Sequence, residues 1–347
     1  MKNDLYYYHI LPKEEQQAYH AVYAGLSSLA SSFPVPRLPM GRLSELFFLV
    51  RLDHPKIFYA VSFSCRASAD ASSWEFLPEY MFPKKQILEQ QQMMAARVAK
   101  LARGAEKLDA LGREQYVHDF LCSSVRYDKL KKPYSHEIIG ALGHGVAVCE
   151  GIAKSAKILC NALDLPCIIA VSDAAPEKGI RYRHAWNIVT LGGTPYHLDA
   201  TFDNTLSSPS SLRYDYFNLN DDRIYRDHEP ALFPVPSCRD GRHDWFSAQK
   251  LAFSDEEKLR RRIAQAAKKK ADFVFRYNGG YLTREVIERI FALVREEALA
   301  RSLHPALAMN LPQAVFRISF PENASAEGLT YEQADRAEAE AEDASGS

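Results

Sequence analysis

Three residues in the 347-residue sequence could cooperate in nucleophilic chemistry: Cys149, His184 and Asp199. A thiol attacks as its thiolate, which a helix N-terminus and a neighbouring imidazolium both stabilise. Val146, Ala147 and Val148 make a poor helical turn, whereas the residues from Glu150 onward are strong helix formers, so Cys149 is expected at the first turn. There, unpaired backbone N–H groups and the helix dipole would favour negative sulfur and could hold an oxyanion. Gly151 would remove side-chain bulk where a substrate backbone approaches. His184 opens the β-rich run "HAWNIVTL", and Asp199 ends the next run, "YHLDATF", across the turn Gly192-Gly193. The hairpin brings the two to neighbouring strands at one open end. A carboxylate holding Nδ1–H while Nε2 faces sulfur is the orientation expected there.

The elements that must carry these residues follow from periodicity. Helical patterns cover "KEEQQAYHAVYAGLSSLASS", "GRLSELFFLVRLDHP", Pro83 to Leu101 and "GREQYVHDFLCSSV", the last with an apolar face of Tyr116, Phe120 and Leu121. "KIFYAVSFS" reads as a strand. The helix "CEGIAKSAKILCNAL" then leads into strands "CIIAVS", "HAWNIVTL" and "YHLDATF", an α+β signature. After residue 250 come helix "SDEEKLRRRIAQAAKK", strand "DFVFRY", helix "TREVIERIFALVREEALARS" and strand "QAVFRISF". The final 27 residues, 321–347, are acidic and Ala-rich, which suggests a disordered tail.

In order, "VCEGIAKS", "HAWN" and "HLDATFDN" resemble the motifs of the transglutaminase-like superfamily of papain-like cysteine enzymes, in its bacterial branch. "HDFLCSSVRYD", "SHEIIGAL" and "YFNLNDDRIYRDHE" extend the resemblance over roughly residues 106–235. It implies Cys149 as nucleophile, His184 as general base and acid, and Asp199 as the orienting carboxylate. It also implies a papain-like core with the nucleophile helix packed on an antiparallel sheet, and no metal or other cofactor. Ile152 stands where the family commonly has Tyr, and Phe202 where it has Trp. The division this suggests is a mixed N-terminal region (1–105), a catalytic core (106–250), a small α/β C-terminal unit (251–320) and the tail (321–347).

Other residues have blander expectations. Trp186 alternates onto the face of His184 and either walls the cleft or packs in the core, and Tyr127 is a further cleft candidate. Asp203 competes with Asp199 for the third position and loses on strand placement. Cys65, Cys122, Cys160, Cys167 and Cys238 read as packed thiols without a local base. The basic run "KLRRRIAQAAKKK" reads as a solvated helix face, against which the acidic tail could lie. With 43 Lys and Arg against 44 Asp and Glu there is no global field for nucleic acid or anionic membrane, and neither partner is expected. No signal peptide or long apolar span is visible, and reduced thiols fit a cytoplasmic setting. The expected activity is acyl transfer or hydrolysis on peptide or protein amides, the alternative being a silent fold used to bind peptides.

Overall fold

The computed structural model describes residues 5–68, 72–178, 180–208, 211–321 and 328–332. At its centre, the helix Cys149–Ala162 packs on a four-stranded antiparallel sheet. The strand order is Cys167–Ser172, His184–Leu191, Thr194–Leu198, Phe217–Leu219. The first strand is buried throughout and the second nearly so, which explains why both are apolar without the alternation of a half-exposed sheet. Gly192 and Gly193 have φ of +55° and +86°, as a tight two-residue hairpin turn requires, and they set Leu191 opposite Thr194.

The strand expected to run through "YHLDATF" stops at Leu198. Residues Ala200–Leu206 form a helix instead, because the Asp199 side chain accepts the backbone N–H groups of Thr201 and Phe202 and caps it. This local cap overrides the β-propensity of Thr201 and Phe202. The helix Ala110–Ser124 also presents a different face from the one expected. It buries Val117, His118, Leu121, Cys122 and Glu114, while Tyr116 and Phe120 are only half-buried. Polar side chains can occupy this face because each has a partner: Glu114 accepts from Asn218 at 2.8 Å, and His118 lies 3.1 Å from Asp203.

Helices Lys13–Ser27, Met40–Asp53 and Lys84–Ala105 and a three-stranded sheet make up the N-terminal part. Its strands lie in the order Phe33–Pro36, Ser73–Tyr80, Ala60–Ala67. One core cluster runs from Tyr7 to Phe217, so segments 5–105 and 106–250 share their apolar interior. Buried charge crosses the same junction. Lys154, fully buried on the central helix, reaches Glu137 and Glu150 at 2.7 Å each, and Arg51 of helix Met40–Asp53 pairs with Glu137.

The C-terminal unit has its own core, including Phe253, Leu259, Phe275, Ile290, Val294 and Phe316. Helices Glu256–Lys269 and Arg284–Leu299 accompany a five-stranded sheet ordered Ala252–Phe253, Phe273–Tyr277, Val315–Ser319, Ala306–Asn310, Gly328–Tyr331. The basic helix spends Arg260 on Glu296 and Glu297 at 3.0 and 3.2 Å. Residues 328–331 thus form a strand inside the segment expected to be a disordered tail. Glu332 anchors it by accepting from Arg213 at 2.5 Å and from Arg317 at 2.9 Å. The rest of that segment, 322–327 and 333–347, lies outside the described residues, and with it the suggested contact with the basic helix.

Candidate active site

Cys149 is the first residue of its helix. Val148 precedes it in extended conformation and offers no capping side chain, so no side-chain oxygen covers the first-turn N–H groups at the thiol. The helix start is held by the chain before it: Val148 N–H donates to Ser135 O at 3.0 Å, and Val146–Ala147 pairs with Arg126–Tyr127. Behind the thiol, Glu150 turns to Lys154 and to His136 Nδ1, 2.7 and 3.3 Å away. Burial would raise the Glu150 carboxyl, but Lys154, His136 and Arg51 outweigh it and hold the group well below the usual range. Its charge is therefore balanced by Lys154 and Arg51.

His184 stands at the start of its strand, opposite Ser172, and lines the same cleft as Cys149, whose Sγ lies 4.0 Å from the carbonyl oxygen of Arg183. Its Nε2 lies 2.6 Å from Asp199 Oδ2. The ring is therefore turned the other way from the sequence expectation: Nε2 meets the carboxylate, and Nδ1 is left for sulfur. Burial pushes the imidazole pKa down, but the charge and hydrogen bond of Asp199, with the Cys149 sulfur acting in the same direction, outweigh it, and the net shift is upward. Asp199 is fully buried, which would raise its pKa. His184 and His228 reverse that, and the carboxyl lies below its ordinary value.

His228 was not anticipated from the sequence. Its Nε2 lies 2.9 Å from the same Asp199 oxygen that His184 uses, and its Nδ1 lies 3.0 Å from Asp227. An imidazole flanked by carboxylate oxygens on both nitrogens donates to both only as imidazolium. Burial lowers its pKa, yet the bonds to Asp199 and Asp227 turn the net shift upward. The one available signal was its place in "YRDHE", within a segment that already resembled the family, but no spacing there announces a partner for Asp199.

The other expected site residues divide. Tyr127 lines the cleft with Cys149 and His184, as do Lys131, Arg181 and Arg183. Trp186 shares the His184 face, its ring 6.0 Å away and nearly parallel, but it is 1% exposed and donates Nε1–H to His197 at 3.0 Å. It supports the imidazole from the core side and does not wall the cleft. Gly151 does not face a substrate either. A Cβ there would lie 2.2 Å from Ser135 O and 3.2 Å from Glu137 O, so the backbone it admits is the chain's own. Phe202 packs on His184 and His228, with ring centroids 4.5 and 4.7 Å away.

Asp203 belongs to a separate cluster, which corrects the expectation that Cys122 has no base nearby. Cys122 Sγ lies 3.4 Å from His118 Nε2, and that nitrogen lies 3.1 Å from Asp203 Oδ2. Among the described residues, two groupings bring metal-ligand atoms within 4.8 Å of one another: His184 with Asp199 and His228, and His197 with Asp221 and Cys238. In the first, both imidazoles aim Nε2 at one carboxylate oxygen at hydrogen-bond distance. In the second, His197 Nε2 lies 2.9 Å from Asp221, and burial pushes the Cys238 thiol up, keeping it protonated. Both are hydrogen-bonded clusters as they stand.

A helix that begins at cysteine packs on an antiparallel sheet that carries His184, with Asp199 just past the end of the neighbouring strand, an α+β arrangement. Residues 96–200 match the family model described as the transglutaminase-like superfamily. No curated protein matches the chain. Among solved structures, one described as "Crystal structure of a TGase" is 14% identical with a TM-score of 0.26, covering 41% of this chain and 44% of that one. Another, described as "a Putative Cysteine Protease from Cytophaga hutchinsonii", is 14% identical with a TM-score of 0.24, covering 44% and 64%. The chain thus spans less than two thirds of the length of either. Among the described residues no helix is long and apolar enough to cross a membrane.

Proposed function

We propose that the protein is a cysteine-dependent enzyme of acyl transfer or hydrolysis acting on peptide or protein amides, with Cys149 as nucleophile, His184 as acid and base, and Asp199 as the orienting carboxylate. The observation that carries this reading is a thiol at an uncapped helix start that shares one cleft with His184, whose Nε2 lies 2.6 Å from Asp199. Cys149 thiolate attacks an amide carbonyl, forming the S–C bond and placing negative charge on oxygen. The first-turn N–H groups are positioned to hold that charge. As the C–N bond breaks, the His184 imidazolium gives its proton to the departing amine or ammonia, leaving a thioester. Water resolves the thioester to an acid, whereas a lysine amine resolves it to an isopeptide bond.

The test is incubation with a glutamine-containing protein, with and without a fluorescent primary amine. Ammonia release without incorporation identifies deamidation, incorporation identifies cross-linking, and new chain termini identify proteolysis. Absence of all three, together with unselective alkylation of the cysteines, would refute the enzyme reading and leave a peptide-binding module.

A further inference from the structure

Two loops face each other across Cys149, and both are basic. Residues 126–132 contain Arg126, Lys129, Lys131 and Lys132 against Asp128, and residues 178–183 contain Lys178, Arg181 and Arg183 with no acid. The chain as a whole carries a net charge of −1, so this is a local excess rather than part of a general field. Of the acidic groups close to it, Asp128, Asp173 and Glu229 are already engaged, and Glu177 stands beside Lys178 at the outer end of the second segment. Asp128 is buried and turned inward, accepting the backbone N–H groups of Leu130 and Lys132 at 3.0 and 3.1 Å as well as the Ser135 hydroxyl. Asp173 takes Arg183 at 3.0 Å, and Glu229 takes Lys178 at 2.7 Å. Lys131 and Arg181, both lining the cleft, have no carboxylate partner among the described residues. Lys131 Nζ sits 3.3 Å from the centre of the exposed Tyr182 ring on the facing loop, a contact that holds an ammonium at the mouth without neutralising it.

Resting on the acyl-transfer reading of Cys149, we infer that this cleft selects a peptide segment bearing an acidic side chain beside the acyl group under attack, with Lys131 and Arg181 as the specificity-determining cations. A guanidinium fork and a fixed ammonium suit a carboxylate. A peptide also presents the acyl carbon that the thiol needs, which a nucleic-acid strand does not.

The rates at which iodoacetate and iodoacetamide alkylate Cys149 test this without knowledge of the natural substrate. Both form an S–C bond with loss of iodide, and they differ in the carboxylate. The ratio of the iodoacetate to the iodoacetamide rate should fall roughly three- to tenfold in Lys131→Ser/Arg181→Ser at low ionic strength, and should fall in the wild type as salt is added. The His184 imidazolium is common to both proteins, so the difference isolates the loop cations. An unchanged ratio in the double variant overturns the inference while leaving Cys149 an active thiol. Failure of both reagents to select Cys149 over the other cysteines instead overturns the acyl-transfer reading beneath it. Paired glutamine peptides flanked by Glu or by Lys give the second readout: the wild type should prefer the acidic peptide, and the double variant should lose that preference. Equal turnover of the two peptides by the wild type overturns the inference.

Discussion

Two of the groupings of cysteine, histidine and aspartate among the described residues differ in everything except composition. Cys149, His184 and Asp199 meet where a helix begins, at the floor of a cleft. Cys122, His118 and Asp203 meet in the interior, with cysteine and histidine one turn apart on the same helix. In the interior set, His118 Nε2 serves both the thiol at 3.4 Å and the carboxylate at 3.1 Å, while Nδ1 faces Asp119 at 3.0 Å. Burial raises the Cys122 thiol despite the histidine beside it, and burial raises the Asp203 carboxyl to about 7. In the active-site candidate, His184 Nε2 serves Asp199 alone, at 2.6 Å. Residue types alone therefore do not make a nucleophile. A helix start, a path to solvent and an unshared nitrogen separate the two sets.

The sharpest way to break the contrast is to remove each sulfur. Cys149→Ser should abolish both turnover and rapid alkylation, whereas Cys122→Ser should leave both within about twofold, because surface chemistry does not pass through a sealed thiol. Mass-spectrometric mapping of iodoacetamide adducts reads both variants. Rapid labelling that follows Cys122 would invert the assignment.

The next effect separates the carboxylates. Asp199→Asn should lower turnover on the order of 10²- to 10⁴-fold. Asparagine is as good a helix cap as aspartate, so the helix Ala200–Leu206 should keep its start. The pH profile supplies a sign. The Asp199 charge helps raise the His184 pKa, so its loss makes the imidazolium deprotonate at lower pH, and the basic limb of the alkylation profile should move down. Asp203→Asn should leave that limb where it is.

The interior set should show itself in stability. His118→Gln withdraws a buried partner from Asp203, which otherwise has the Tyr216 backbone N–H at 3.1 Å. A loss of about 1–3 kcal/mol is expected in denaturant unfolding, with the rate of Cys149 alkylation preserved. A variant as stable as the wild type would show that the cluster is not held by its histidine.

Much of the Cys149 site was legible because its parts announce themselves locally. A switch from extended residues to helix formers places Cys149, and a Gly-Gly turn between β-rich runs places His184 on one strand and Asp199 just past the end of the next. What was not legible depends on contacts distant in sequence. His228 reaches Asp199 across 29 residues, and the His118–Asp203 pair spans 85. Gly151 was visible as a position without bulk, yet only the fold shows that residues 135–137 fill the space. The strands Ser73–Tyr80 and Ala306–Asn310 escaped notice as well. The first has Pro78 inside it, and the second is a short Ala- and Met-containing run with weak β-propensity.

His228 offers the finest test of how the open set works. Its Nε2 and that of His184 both lie within hydrogen-bond distance of one oxygen of Asp199, so two imidazoles compete for that oxygen. Replacing His228 with Gln removes the competing imidazole while the backbone N–H groups of Thr201 and Phe202 still hold the other oxygen. The carboxylate is then available to His184 alone, the imidazolium is favoured, and the basic limb of the Cys149 alkylation profile should move up. This is the opposite direction from Asp199→Asn. A purely structural His228 would lower stability and leave the limb in place, and a downward shift would mean that His228 assists the imidazolium rather than competing with it. Measuring the two variants side by side therefore separates the residue that orients His184 from the one that tempers its charge.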